Sequence, residues 1–480
     1  MIPINFESKK NYYFAILIVI IFGFALRVYG FNSNGYWADE WYTLFFSNPN
    51  NSYIEFKYNL GPNGSGLPTY ENTPWLFYIF LKFIFIIFGY YAEIGRIFIL
   101  IFAVGSIYLS LKIISKCTTN KQLIIFFLIL VSSNPFLVIE SQETRVQSVV
   151  LFFGLWNLIE FLKLIDQINF KNITTFVLSM VLVMSFSPVT TTLLFSYLIY
   201  ISINFYKKKI KIISFLLIFL MSIFIYIVLN YEYLSNVFLA KQFQGISSKF
   251  FFSYFFSTFF GTYFLGGFVL LFLVLSTIIN FKKIFLDKKI LLIYIIVGTT
   301  YFFLIVKSIE SNLLIARYVI FIVPLILILV IRNLENNIYI KKDLFKSFFI
   351  YMIIFLQLIN TFYQINNRPI KKPPTNDLIT YISRSQVKTV SSENFLFGNY
   401  LKTHYLFTKK DLKYLNYDKL NKHNSSFWLI CTNNMRSIVS TKNLEDFRHV
   451  KCSSKIAESK MRVVEKFNIP DLQARLYVKK

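Results

Sequence analysis

Apolar runs the length of a bilayer recur along this chain, and they decide its class. YYFAILIVIIFGFALRVYGF (residues 12–31) and IKIISFLLIFLMSIFIYIVL (210–229) are each long enough to cross a hydrocarbon core of about 30 Å as a helix. Similar runs fall near 75–91, 94–114, 122–139, 147–165, 173–187, 189–206, 255–280, 290–306, 316–331 and 344–363. With 55% apolar residues in 480, the chain carries more than one soluble core buries, so a polytopic α-helical membrane protein is expected. No small-residue cleavage site follows the first run, which therefore reads as an uncleaved first span. After residue 363 the composition turns polar, leaving a tail of about 115 residues with room for a small domain. The expected division is a membrane domain over 1–363 and a soluble domain over 364–480.

The net charge of +26 reports orientation. Lysines and arginines fall in short clusters between the runs, without a continuous basic face, so nucleic acid is not an expected partner. The clusters are Lys9–Lys10; Lys112, Lys116 and Lys121; Lys163 and Lys171; KKKIK (207–211); FKKIFLDKK (281–289); and the stretch from Arg332 to Lys346. All share one side only if PWLFYIFLKFIFIIFGY (74–90), which carries Lys82, is interfacial or re-entrant. That leaves about 11 spans in a plasma or inner membrane, the N-terminus cytoplasmic and the tail extracytoplasmic. Four segments then meet the outer side: a first loop over 32–93 with interfacial helices, ESQETR (140–145), the 231–254 loop, and KSIESNLLIARY (307–318).

The tail reads as mixed α/β. DLITYISR and GNYLKTHYLF have helical patterns, KTVSS and SFWLICTN read as short strands, and RVVEKFNI can pair with ARLYVKK as a closing hairpin. His404, His423 and His449 are scattered there without a partner pattern, and no metal-ligand spacing or Gly-rich phosphate loop is present. No metal or other cofactor is called for, and metal dependence stays open. Three cysteines are too few for a disulfide framework; Cys431 and Cys452 either form a single bridge or stay free.

Charged residues at membrane ends without a topological job are the candidates for chemistry. In YWADEWYTLFF (36–46) the adjacent carboxylates Asp39 and Glu40 stand among Tyr36, Trp37, Trp41 and Tyr42. An ionised group this close to the bilayer faces a polar cavity or a partner. The plainer reading is an aromatic belt around a solvated loop. In ESQETR, Glu140, Glu143 and Arg145 either pair among themselves or present Arg145 to an anionic phosphate, which its planar fork suits. Arg317 and Tyr318 open a later run, where an arginine either snorkels to headgroups or binds a ligand. A carboxylate and two guanidinium groups on one face make a site for a sugar phosphate.

These residues carry a resemblance. Asp39-Glu40 in the first outer loop, NTPWLFYIFLKFIFIIFGYYAEIGR (72–96) with Gly89 and, seven residues on, Arg96, SQETR (141–145), and RYVIFIVP (317–324) stand in the order of four local patterns of the GT-C class membrane glycosyltransferases. The chain resembles family 39, that of the protein O-mannosyltransferases and their lipid A aminoarabinose transferase relatives, over about residues 12–330. Where that family commonly has His-Pro-Pro, this chain has Asn72-Thr73-Pro74, which alters whatever the histidine contributes. The resemblance implies a transferase that takes a sugar from a polyprenyl phosphate on the outer face and gives it, with inversion, to a glycolipid, polysaccharide or protein hydroxyl. Asp39 would be the general base, and Glu40 would orient the acceptor or tune Asp39. Arg145 and Arg317 would hold the donor phosphate, with Lys82 and Arg96 as outer contacts and Glu143, Tyr318 and Asn72 in support. The aromatic KFFFSYFFSTFF (249–260) would line a polyprenyl groove or, more simply, face lipid. Competing readings are a transporter or flippase for lipid-linked saccharides, which would need broken helices with charge near the midplane, and a surface-polysaccharide polymerase or ligase.

Overall fold

A computed structural model describes residues 8–31, 35–50, 74–207, 209–231, 234, 251–311, 315–336, 343–371, 374–422, 425–432, 461–469 and 472–479. Among these, eight helices are long and apolar enough to cross a membrane: Lys9–Val28, Ala92–Cys117, Gln147–Asp166, Pro188–Phe205, Lys209–Leu229, Tyr263–Ile284, Lys288–Lys307 and Phe348–Asn367. The apolar helices Trp75–Phe88, Lys121–Ser132 and Phe170–Phe186 are shorter. The chain is a multi-pass helical membrane protein. In its first helix Ile16, Val19, Gly23, Leu26 and Arg27 are buried at helical spacing, while Phe14, Leu17, Ile18, Ile21 and Phe24 face outward. The Trp75–Phe88 helix, 14 residues, is about 21 Å long, too short to span a core of about 30 Å.

Two of the apolar runs are broken. The run at 122–139 stops at Ser132, and a new helix, Pro135–Glu140, starts behind Asn134, whose side chain accepts the Leu137 N–H at 3.0 Å. Pro135 supplies the reason, since it has no N–H and disfavours helical backbone at the residue before it. The run at 255–280 is split by Gly261, at φ +81°, a conformation glycine adopts without strain. The carbonyls freed at both breaks are taken by one face of the last long helix, Asp343–Lys371. Gln357 donates to Leu130 O at 2.7 Å, Thr361 to Ser133 O at 2.6 Å, Asn360 to Phe260 O at 3.0 Å and Gln364 to Gly261 O at 3.2 Å. Spaced three and four apart, these residues make a single polar stripe, as hydrocarbon demands of interrupted helices. Gln357→Leu removes the donor to Leu130 O and to Ser133 Oγ and should cost about 1–3 kcal/mol, read as a fall in Tm in detergent.

The aromatic helix Phe251–Phe260 corrects an expectation. Phe255, Phe256, Phe259 and Phe260 are all buried, with Phe136 at 5.4 Å from Phe259 and Tyr301 at 5.7 Å from Phe255. The helix packs inside the bundle, so the lipid-facing reading fails. Successive rings cover several sides of a helix, and partners for them exist on neighbouring segments.

The tail holds the expected sheet. β1 (Thr389–Ser392), β2 (Lys413–Tyr414), β3 (Phe427–Thr432), β4 (Met461–Ile469) and β5 (Leu472–Lys479) are ordered β2-β1-β3-β5-β4. β1 runs parallel to β2 and β3, β5 is antiparallel to both β3 and β4, and β4 with β5 is the hairpin expected from the sequence. Helix Thr375–Arg384 is where DLITYISR placed it; GNYLKTHYLF is split at His404 into Phe395–Thr403 and Tyr405–Lys409. Cys431 is disulfide-bonded and Cys117 is a free buried thiol; Cys452, His423 and His449 lie outside the described residues.

His404 sits where the tail meets the membrane helices. Its Nδ1 accepts the Leu406 N–H at 3.2 Å, which requires a lone pair there, so the Glu93 carboxylate 4.0 Å away is not its ion-pair partner. Burial first, and then the Arg96 charge, push His404 down to about 4 from an ordinary value of 6.5. Tyr36 and Tyr400 face the ring as well. The unfolded chain therefore binds the proton more readily than the folded one, so this contribution is complete above about pH 6.5 and is lost as pH falls toward 4. The expected result is a Tm that drops through that window in the wild type and less steeply in His404→Asn, which keeps a cap for Leu406.

Candidate active site

The helix Ala38–Phe46 carries the acidic pair in its first turn, where carboxylates suit the helix dipole. A helix turns by about 100° per residue, so neighbours in sequence look in different directions. The Asp39–Glu40 pair is divided in this way. Glu40 reaches back to the Trp37 N–H at 3.4 Å, accepts the Thr144 N–H at 2.9 Å, and is paired with Arg96, whose Nε is 3.2 Å from Oε1 and whose Nη2 is 3.3 Å from Oε2. Arg96 also donates to the carbonyls of Phe31 at 3.0 Å and Gly35 at 2.9 Å, and lies 3.6 Å from the centre of the Tyr36 ring. Gly95 makes this approach feasible, because a Cβ there would stand 2.6 Å from the Thr144 side chain.

Asp39 meets the other two arginines. Its Oδ2 is 2.9 Å from Nη1 of Arg317 and 3.7 Å from Nη2 of Arg145. Arg145 further donates to the Asp39 carbonyl at 3.1 Å and to Oγ1 of Thr43, also at 3.1 Å, which ties the ESQETR loop to the helix that bears the carboxylate. Arg317, in the 3-10 turn Ala316–Val319, lies over Trp37 at 5.4 Å and beside Tyr318 at 6.0 Å. Exposure separates the two clusters. The side chains of Asp39, Arg317 and Arg145 keep 22%, 17% and 10% of their surface, whereas Glu40 and Arg96 keep 0% and 1%. The first group keeps part of its surface open, while the second is enclosed.

Other residues singled out from the sequence divide likewise. Glu143 accepts the Trp37 indole N–H at 3.2 Å and so borders the Asp39 group. Gln142 holds the end of the first helix through the carbonyls of Arg27 and Tyr29, at 3.0 and 2.8 Å. Lys82 is half-buried midway along Trp75–Phe88, a separate element, and Asn72 lies outside the described residues. Sequence reasoning gave no role to Thr43, although it stands four residues after Asp39 and so on the same helical face. Among the described residues no group of three or more His, Cys, Asp or Glu side chains is placed to hold a metal ion.

No family model matches the sequence, and no curated protein matches it. Solved structures do match. ArnT from Cupriavidus metallidurans in the apo state aligns with TM-score 0.60 at 9% identity, over 96% of this chain and 97% of that one. The same protein bound to undecaprenyl phosphate aligns with TM-score 0.56 at 10% identity, over 98% of each. The Archaeoglobus fulgidus oligosaccharyltransferase, in complex with zinc and sulfate, aligns with TM-score 0.50 at 10% identity, over 87% of this chain and 68% of that one. The chain has the GT-C membrane fold that the resemblance implied.

Proposed function

We propose that this protein is a membrane glycosyltransferase that moves a sugar, hexosyl or pentosyl, from a polyprenyl-phosphate donor to an acceptor hydroxyl. The observation that carries the reading is the convergence of Asp39, Arg145 and Arg317, from three separate elements, into one partly exposed group. Asp39 takes the acceptor proton as the hydroxyl oxygen attacks the anomeric carbon from the face opposite the phosphate. The bond from that carbon to the phosphate oxygen breaks, its electron pair stays on the phosphate, and the configuration inverts. Arg145 and Arg317 stabilise the charge that accumulates on the leaving phosphate. Glu40 and Arg96 hold the Asp39 helix in place and do not touch the sugar. The undecaprenyl phosphate bound by a protein of the same fold supports a lipid donor here. A disulfide at Cys431 agrees with a tail in an oxidising, extracytoplasmic compartment. The acceptor class is a glycolipid, polysaccharide or protein hydroxyl.

The test is to reconstitute the full chain in vesicles with a panel of radiolabelled polyprenyl-phosphate sugars and acceptor extracts, scoring transfer and transbilayer movement separately. Transfer from at least one donor is expected. Movement of label across the bilayer without transfer would replace the enzyme by a flippase.

A further inference from the structure

Among the described residues the tail packs against the Asp39 helix. Asp39, Glu40 and Trp41 follow one another on the Ala38–Phe46 helix, so they leave it in three directions. Asp39 meets Arg145 and Arg317, Glu40 meets Arg96, and Trp41 meets the tail. Trp41 is fully buried, with Phe397 edge-on at 5.0 Å and Tyr400 stacked at 6.2 Å. Both come from the Phe395–Thr403 helix, whose first turn is capped by Asn394 through the Phe397 N–H at 3.1 Å. Tyr400 also lies 4.9 Å from Tyr36, the ring that bears on Arg96. Asn399 donates to the Tyr90 hydroxyl at 3.1 Å, and that hydroxyl donates to the carbonyl of Leu44 at 2.6 Å, near the other end of the Asp39 helix.

We propose that the tail is a positioning clamp for the proposed base: Phe397 and Tyr400 acting on Trp41, and Asn399 acting on Tyr90, fix the helix from which Asp39 projects. The proposal rests on the transferase reading for its catalytic consequence and on these contacts alone for its structural one. Aromatic packing of this kind leaves a helix little freedom to rotate, and a shift of about 1 Å in a reacting group costs up to about a hundredfold in rate. The tail then governs turnover, and acceptor recognition is a separate matter.

The experiment uses the full chain in nanodiscs with Tyr400→Ala, Tyr400→Phe and Asn399→Leu. Four quantities are read: kcat, the acceptor KM, affinity for undecaprenyl phosphate, and hydrogen exchange over residues 37–47. Tyr400→Ala should lower kcat by about ten- to a hundredfold while the acceptor KM stays within about twofold. Exchange should rise over 37–47 and stay unchanged over 147–166, and Tyr400→Phe, which keeps the ring, should restore both readouts. A raised acceptor KM at unchanged kcat would overturn the clamp in favour of acceptor binding by the tail, and unchanged exchange over 37–47 would overturn it outright. If Tyr400→Ala does not fold, Asn399→Leu carries the same readouts through the polar arm. Should the wild type transfer nothing from any donor, the transferase reading fails, and exchange still decides whether the tail holds the helix.

Discussion

Asp39→Asn is expected to yield a protein that transfers almost no sugar yet binds polyprenyl phosphate more tightly than the wild type does. The loss of transfer follows from removing the proposed base, worth about 10²–10⁴ in rate. The gain in affinity follows from the geometry of the group, in which the anion beside Arg317 and Arg145 is Asp39 itself, at 2.9 and 3.7 Å. A lipid phosphate competes with that carboxylate for the same two forks, and an amide of equal size withdraws from the competition. Gains of about 1 kcal/mol, or fivefold in Kd for undecaprenyl phosphate, are expected of a partly exposed pair. Transfer and equilibrium binding measured on the same preparation separate the two effects. Weaker phosphate binding by Asp39→Asn would mean that the arginines do not seat the phosphate, whereas normal transfer would remove Asp39 as the base.

The second large effect concerns stability. Arg96→Met removes the Arg96 guanidinium from the Glu40 carboxylate, which is at 0% exposure, and removing one member of such a pair typically costs about 3–5 kcal/mol. The carbonyls of Phe31 and Gly35 lose donors as well. Thermal unfolding in detergent should show a large drop in Tm, and adding Glu40→Gln should recover part of it because the stranded charge is then gone. An Arg96→Met protein of normal Tm that fails to bind undecaprenyl phosphate would return Arg96 to the donor site, the role the sequence pattern suggested for it.

Much of the architecture was legible because the bilayer imposes it. Spans follow from length and apolarity, and grouping Asp39, Arg145 and Arg317 needed only the side of the membrane on which each run ends. The closing hairpin of the tail was legible too, from strand patterns of β4 and β5 close together in sequence. What escaped was set by rotation and by distance along the chain. Asp39 and Glu40 look like one unit in sequence, and only the turn of the helix sends them to different arginines. Arg96 and Arg145 both stand at helix ends, so nothing local marks one as enclosed and the other as accessible. The partners of Trp41 lie in the tail, in a segment that reads as an ordinary amphipathic helix. The breaks at Asn134 and Gly261 had their Pro and Gly signals, but the stripe that makes them tolerable lies on another helix.

That stripe also dictates an order of events during synthesis. Gln357 and Thr361 supply donors to the Ser133 region from 224 and 228 positions further along the chain, and Asn360 and Gln364 do the same for Phe260 and Gly261 from 100 and 103. Until the last long helix has left the ribosome and entered the bilayer, both interruptions lack these partners in surroundings that offer little to replace them. Chains ending before residue 357 should remain in a loosened, protease-sensitive bundle, and maturation of the intact protein should register as a late step that follows insertion of the final span.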